Sequence, residues 1–198
     1  MRIFISGPSG VGKSTIIQEI LKRHPDILLS ISYTTRPPRP GERDGKEYFF
    51  VACETFETMV KADRFLEWAL VHGQRYGTPL DWVSSMEDQG HHILFDIDVQ
   101  GVRQAKAKGS QGCFIMLLPP TLEELARRLA GRGTEDPQAL ATRLENAKKE
   151  MRAWSMYDYL VVNDRLEKAI AAVEIILDAY SYSKEEAVGR LKWLSRIG

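Results

Sequence analysis

No apolar run in the 198 residues approaches the roughly twenty needed to cross a bilayer as a helix, which excludes a membrane-spanning helix. Cysteine is scarce. The two present, Cys53 and Cys113, lie far apart, have no metal-ligand spacing and no histidine pair nearby. A disulfide framework and a zinc finger are therefore excluded, and the thiols read as reduced residues of a cytosolic protein. Neither sign of charge dominates, with 27 basic and 27 acidic side chains. A general nucleic-acid-binding surface lacks its electrostatic basis, so any basic function has to be local. The start of the chain lacks a signal-peptide layout, because Arg2 is followed at once by a short strand and then by a glycine-rich loop that cleavage would destroy. These absences lead to the expectation of a soluble, cytoplasmic protein with neither a membrane nor a nucleic-acid partner. Internal repeats and low-complexity segments are missing too, and the length suits one well-buried core with small insertions.

What is there begins with Gly7-Pro8-Ser9-Gly10-Val11-Gly12-Lys13-Ser14, between the apolar Ile3-Phe4-Ile5 and the periodic Thr15-Ile16-Ile17-Gln18-Glu19-Ile20-Leu21. Strand, glycine-rich turn and helix form the context in which G-x-x-x-x-G-K-[ST] acts as a phosphate-binding loop, and every fixed position is filled. Glycines let successive backbone N–H groups turn inward on one anion. The dipole of the helix that starts near Lys13 adds positive potential at the same place. Lys13 supplies a mobile charge for the outer phosphates, and Ser14 a hydroxyl for Mg2+.

Periodicity predicts a helix over 13–23, closed off before Pro25, and a strand over 28–32. Residues 33–42, with three prolines and a glycine, read as an ordered loop that excludes helix and central strand. Strands over 47–52 and 65–71, a short helix over 54–61, a turn over 73–78 and a helix from Pro79 to about 89 follow. Together, residues 32–90 look like an insertion into a βαβ framework. That framework resumes with strands over 91–96, 113–118 and 159–162, and with helices over 99–108, 122–130, 137–154 and 166–180. Thr121 and Glu124 carry a capping-box signature. Strands alternating with helices imply an α/β fold, a parallel sheet with helices on both faces. Near the end, Ala187, Leu191, Trp193 and Leu194 are spaced for an amphipathic helix, a packed tail or a contact between subunits.

Beyond the loop, Arg36, Arg39, Arg128, Arg132 and Arg143 are suited to phosphoryl transfer, since planar guanidinium groups neutralise charge on nonbridging oxygens without acting as nucleophiles. Most arginines are simply solvated surface residues, and Arg128, on a helix with a charged exposed face, fits that reading best. Arg39 and Arg132 stand among proline and glycine at loop positions, where function concentrates. The apolar strand Ile93-Leu94-Phe95 delivers Asp96 and Asp98 at its end, where a carboxylate holds Mg2+ or a polar substrate group, or where Asp98 only caps the next helix. Glu67, in Phe65-Leu66-Glu67-Trp68, has the acceptors a guanine edge requires, and the hydroxyls of Tyr76 and Thr78 suit a phosphate or a base edge. On spacing alone, a core carboxylate beside aromatics is the commoner arrangement.

Taken in order, these motifs resemble those of a guanylate kinase: GPSGVGKST, SYTTRPPRPGE, GKEYFFV, FLEW, RYGT, ILFDIDVQG, RGTE and VVND, over about residues 2–180. The resemblance implies Mg2+-dependent transfer of the ATP γ-phosphoryl group to GMP, and by extension dGMP, giving ADP and GDP. It also implies a P-loop NTPase-type core in three parts (1–31, 91–126 and 147–182), a mixed α+β GMP-binding insertion over 32–90, a helical lid over 127–146 and a tail over 183–198. Position by position, it assigns ATP binding to Gly7, Pro8, Ser9, Gly10, Val11, Gly12, Lys13, Ser14 and Thr15, with Asn163 near adenine. GMP binding falls to Ser32, Arg36, Arg39 and Tyr48 around the phosphate, to Tyr76 and the adjoining Gly77, and to Glu67, Thr78 and Asp96 around guanine. Lys13, Arg132 and Arg143 surround the transferring group, with Arg39 on the acceptor side, while Ser14 and Asp98, directly or through water, are the implied metal positions. Gly131 and Gly133 are the implied lid hinges.

Two rivals share the fold. A non-catalytic phosphopeptide-binding module of guanylate-kinase type would usually have lost the loop, yet Lys13, Ser14, Arg132 and Arg143 all stand here. A kinase acting on a ribose phosphate is opposed by Glu67 and by the arginine loop. Oligomeric state stays open.

Overall fold

The glycine-rich loop leaves β1 (Arg2–Ser6) and enters α1 (Lys13–Arg23) in a computed structural model that describes residues 1–71, 73–131 and 137–191. There follow β2 (Ile27–Leu29), β3 (Tyr33–Thr34), β4 (Phe49–Phe50), α2 (Cys53–Lys61), β5 (Phe65–Val71), β6 (Gln74–Pro79) and α3 (Leu80–Asp88). The chain continues through β7 (His92–Asp96), α4 (Val99–Ala107), β8 (Cys113–Leu118), α5 (Leu122–Ala130), α6 (Pro137–Met151), β9 (Tyr159–Val162), α7 (Leu166–Ser181) and α8 (Lys184–Arg190).

Five strands make a parallel sheet in the order β2-β7-β1-β8-β9, flanked by helices, and the fold class is α/β as expected. Strands of such a sheet are apolar along their whole length because both faces are covered. Ile3, Phe4 and Ile5 of β1 and Ile115, Met116 and Leu117 of β8 are accordingly fully buried. β1 and β8 pair from Ile3 opposite Cys113 to Ser6 opposite Met116, and the rings of Phe4 and Phe114 stack with centroids 4.3 Å apart. No described helix is long and apolar enough to cross a membrane.

Two compact units divide the contacts. The first joins Ile3–Pro25 to the chain from Gly112 on, together with Met1. Within it α7 packs on α1, β8 and β9, and α5 packs on α6 through Leu125, Leu129 and Ala147, bordered by Leu140, Leu144 and Met151. Thr121 caps α5 by accepting the Glu124 N–H at 3.1 Å. The returning half of a capping box is absent, because the Glu124 carboxylate turns to Arg127 and Arg128 at 2.7 Å. Cys113 opens β8 opposite Ile3 and is fully buried, and that burial pushes its thiol up to about 12.

The second unit is Asp26–Gln111 with Arg2. It holds a smaller sheet, order β4-β3-β6-β5, whose β3–β6 and β5–β6 pairs are antiparallel. Phe56, Met59 and Phe65 form its core against Tyr33, Val51 and Trp68, with the rings of Phe56 and Phe65 stacked at 4.5 Å. Cys53 opens α2 and is exposed.

Several expectations are corrected here. The turn expected over 73–78 is mostly strand, since β6 pairs with β5 from Val71 opposite Gln74 to Phe65 opposite Pro79. Gly77 serves close approach instead of chain reversal: a Cβ there would sit 2.9 Å from Phe65 Cδ1 and 3.0 Å from Trp68 Cβ. Tyr33 and Thr34, expected in the proline loop, form a short strand before the first proline. The strands expected over 28–32 and 47–52 shrink to β2 and β4, and α6 stops at Met151 before a single 3-10 turn at Trp154–Met156.

Candidate active site

In the first unit the loop over 7–14 is held from behind by side chains. Gly10 and Gly12 have φ of 84° and 96°, a region that favours glycine, and Gly12 is the residue on which α1 begins. A Cβ on Gly12 would lie 2.6 Å from Asn163 Nδ2, and one on Gly10 would lie 2.7 Å from Leu129 Cδ2. The buried Asn163 donates its side-chain amide to the Val11 carbonyl at 2.8 Å and its backbone N–H to the Leu118 carbonyl at 2.8 Å. Arg128 donates to the Asn163 carbonyl at 3.0 Å, to Glu124 at 2.7 Å and, at the limit of reach, to the Val11 carbonyl at 3.5 Å. It spans α5, the loop and the end of β9. Arg127 first and Arg128 second hold the Glu124 carboxyl down at about 2.

α1 begins without a side-chain cap, unlike α4 and α5, which are capped by Asp98 and Thr121. A helix N-terminus of this kind, following a glycine-rich turn, suits an anion. Lys13 is the first residue of that helix and half-buried, while Ser14 and Thr15 are exposed on its first turn. Arg143, on α6, donates to the Ser9 hydroxyl at 2.9 Å. A pocket beside the loop is lined by Gly12, Thr15, Arg128, Gly131, Asn163 and Leu166. Arg132 and Gly133 lie outside the described residues.

In the second unit a separate pocket gathers Ser32, Tyr48, Glu67, Tyr76, Asp96 and Asp98, with Ala69, Val71 and Ile97 supplying its apolar lining. Glu67 is only 6% exposed. It stands opposite Thr78 in the β5–β6 register, next to a bulge between Phe65 and Glu67. Thr78 donates its hydroxyl to Glu67 Oε1 at 2.6 Å, and the Ser32 hydroxyl lies 3.5 Å from that of Thr78. Burial pushes the Glu67 carboxyl up to about 7. The Thr78 hydroxyl opposes that rise, and the charge of Asp98 adds to it. Asp98 also caps α4, accepting the Gly101 N–H at 2.8 Å, so the capping role weighed from the sequence is present. Gly77 is buried against Phe65 and Trp68.

Around the arginine loop, the Arg36 guanidinium lies 5.4 Å from the Tyr48 ring centroid and donates to Glu42 at 2.8 Å and to the Pro37 carbonyl at 2.8 Å. The other Glu42 oxygen accepts the Arg39 N–H at 2.7 Å. Arg36, and then the Arg39 amide, hold the Glu42 carboxyl below its usual range. Arg39 itself is exposed. Glu42 is a supporting residue that the motifs do not mark; its signal is an acidic residue in a loop otherwise built for anions. Arg128, which on its helix reads as a solvated arginine although it also aligns with the arginines of the family, braces the loop through backbone carbonyls that no spacing reveals.

The described residues thus contain two pockets of different chemistry, one with Arg127 and Arg128 beside glycines, Asn163 and a single carboxylate, Asp164, the other with three carboxylates and several hydroxyls. Among them, no cluster of three or more His, Cys, Asp or Glu could hold a metal without other ligands. A family model described as guanylate kinase matches residues 1–180. A guanylate kinase of Clostridium perfringens is 48% identical over 175 residues, covering 88% of this chain and 81% of that protein. One of Streptococcus agalactiae is 47% identical over 190 residues, covering 95% and 90%. The crystal structure of guanylate kinase from Anaplasma phagocytophilum is similar at a TM-score of 0.69 and 30% identity, over 93% of this chain and 87% of that one.

Proposed function

Because the chain belongs to the guanylate kinase family, we propose that it transfers the γ-phosphoryl group of ATP to GMP, and also to dGMP, giving ADP and GDP. The observation that carries this reading is Glu67, a buried carboxylate oriented by Thr78 in a pocket it shares with Asp96. Guanine offers two adjacent N–H donors on its Watson–Crick edge, and a carboxylate can accept both. Adenine offers an acceptor at the corresponding ring nitrogen, and Glu67 would be left desolvated and unpaired against it.

The donor phosphates would lie along the loop over 7–14, on N–H groups that no side chain caps, with Lys13 on the outer phosphates and Asn163 towards adenine. Ser32, Arg36, Arg39, Tyr48 and Tyr76 would hold the GMP phosphate. An oxygen of that phosphate attacks the γ-phosphorus in line, and the bond from phosphorus to the β,γ-bridging oxygen breaks, so no protein nucleophile is needed. Catalysis is then positioning and charge neutralisation. Lys13, Arg143 and Arg132 are proposed to neutralise the transferring group, with Arg39 on the acceptor side. Glu42 fixes Arg36 and the Arg39 backbone before substrate arrives, reducing the ordering that binding requires.

The available donors fit Mg2+: they are oxygens, and with no cage of carboxylates among the described residues, nucleotide phosphates would complete the shell. Ser14 would hold the ion directly and Asp98 directly or through water. When bound, it supplies charge neutralisation on the phosphate oxygens. The segment over 127–146, which carries Arg143, is proposed as a lid that excludes water from the reacting phosphates.

A coupled assay of ATP with GMP, dGMP, AMP and ribose phosphates tests the reading. Turnover with GMP and dGMP alone is expected. No turnover with GMP, together with phosphopeptide binding, would replace the kinase by a binding module, and turnover with a ribose phosphate would move the substrate class.

A further inference from the structure

The face that α4 turns to β5 is unusual for a helix packed on a sheet. Positions 101, 104 and 108, spaced three and four apart, lie on one side of a helix, where apolar residues normally form the packing stripe. Here they are Gly101 and Gln104, continued just past the helix end by Lys108. Each meets a different residue of the strand that bears Glu67. Lys108 donates to the Phe65 carbonyl at 2.5 Å. Gly101 is so close to Glu67 that a Cβ on it would lie 3.1 Å from Glu67 Oε2. Gln104 accepts the Trp68 N–H at 3.0 Å and donates to the Trp68 carbonyl at 2.7 Å.

β5 is an outer strand of its sheet. A backbone donor and acceptor on its open side would have no strand to pair with. The side-chain amide of Gln104 presents the same donor and acceptor as a peptide group, and so takes the place of the missing strand at one residue. That residue follows Glu67 directly, and the bulge just before Glu67 means the ladder to β6 alone fixes this stretch less firmly.

We propose that α4 sets base selection: Gln104 is a positioning residue that locks β5 beside Glu67, and the missing side chain of Gly101 leaves the room in which the Glu67 carboxylate faces a guanine edge. The proposal rests on the guanylate kinase reading above. Neither residue touches substrate; both act through Glu67.

Two variants test it, with GMP compared against IMP, which lacks the exocyclic amino group and so offers the carboxylate one donor side fewer. Gln104→Met keeps the side-chain length and removes both hydrogen bonds. Gly101→Ala places a methyl group against Oε2 and equally close, 3.1 Å, to Ile97 Cβ; alanine is the better helix former, so this variant gives a second route to the test where Gln104→Met fails to fold. Both variants are expected to raise KM for GMP about tenfold and to lower the GMP-to-IMP preference in kcat/KM about tenfold. KM for ATP should stay within about twofold of the parent value and kcat should change less than KM for GMP. Calorimetric Kd values for GMP and IMP should move in the same way. If Gly101→Ala and a folded Gln104→Met keep the parent preference, the proposal is overturned and the amide merely satisfies a strand edge, whatever happens to the melting temperature. If the parent protein binds neither GMP nor IMP, the kinase reading itself falls, and a parent that selects GMP alongside indifferent variants separates the two failures.

Discussion

Glu67 makes a pH-dependent contribution to folding and, in the proposed reading, to GMP binding. Its carboxyl is pushed from an ordinary 4.5 to about 7, chiefly by burial. A raised carboxyl pKa means that the folded chain holds this proton more tightly than the unfolded chain does. The group's contribution to stability is therefore greatest below 4.5 and is lost as pH rises to about 7. At about 1.4 kcal/mol per pH unit, the loss is on the order of 3 kcal/mol. Glu67→Gln has no such proton to lose. Denaturant titrations at pH 5 and pH 8 should show the variant gaining that amount relative to the parent as pH rises, and parallel behaviour would contradict the burial argument. In the proposed reading binding runs the other way, since a guanine edge would need the carboxylate ionised. GMP affinity of the parent should fall as pH drops below about 7, by as much as tenfold per pH unit, while the variant binds weakly throughout and discriminates less between GMP and AMP. A pH-independent Kd for GMP would show that Glu67 does not read the base.

At the scale of elements, the loop over 7–14 is shaped by what stands behind it. Asn163 follows directly on β9 and ties the Val11 carbonyl, and Arg128 ties Asn163 to α5. Asn163→Ala leaves a buried carbonyl poorly satisfied, at a cost of about 1–2 kcal/mol in stability. It should also raise KM for ATP while leaving KM for GMP near its parent value; a rise in both would mean that the loop is not the element disturbed. Such bracing explains which parts of the molecule are legible in the sequence. α1, β5, β8, α5 and β9 fall on the predicted residues because their apolar positions repeat with the period of the element they form. β6 escapes, because its side chains serve a pocket and its Gly77 serves a close approach to Phe65 and Trp68, so alternation never appears. Within the candidate site, the pocket around Glu67 collects residues that single motifs had left scattered from Ser32 to Asp98. Arg128, Glu42 and Gln104 were not legible as supports. A charged or amide side chain that bonds to backbone looks, in a sequence, identical to one that bonds to water.

Across the whole molecule, the residues proposed for the phosphate loop's ATP and those proposed for guanine fall in different compact units. The two functions should therefore be separable by mutation. Lys13→Ala is expected to lower turnover by orders of magnitude while its calorimetric Kd for GMP stays within about twofold of the parent value. Glu67→Gln is expected to weaken GMP binding and leave ATP binding intact. Loss of GMP binding in Lys13→Ala would show that the sites are not independent. The two thiols offer a way to watch this. Cys113 is shut in the sheet with its pKa pushed up to about 12, whereas Cys53 is exposed at the start of α2, in the unit that carries Glu67. A maleimide fluorophore at neutral pH should label one site, so the natural chain comes with a built-in reporter for acceptor binding. Peptide mapping that finds label on Cys53 alone would permit stopped-flow measurements on the unaltered sequence.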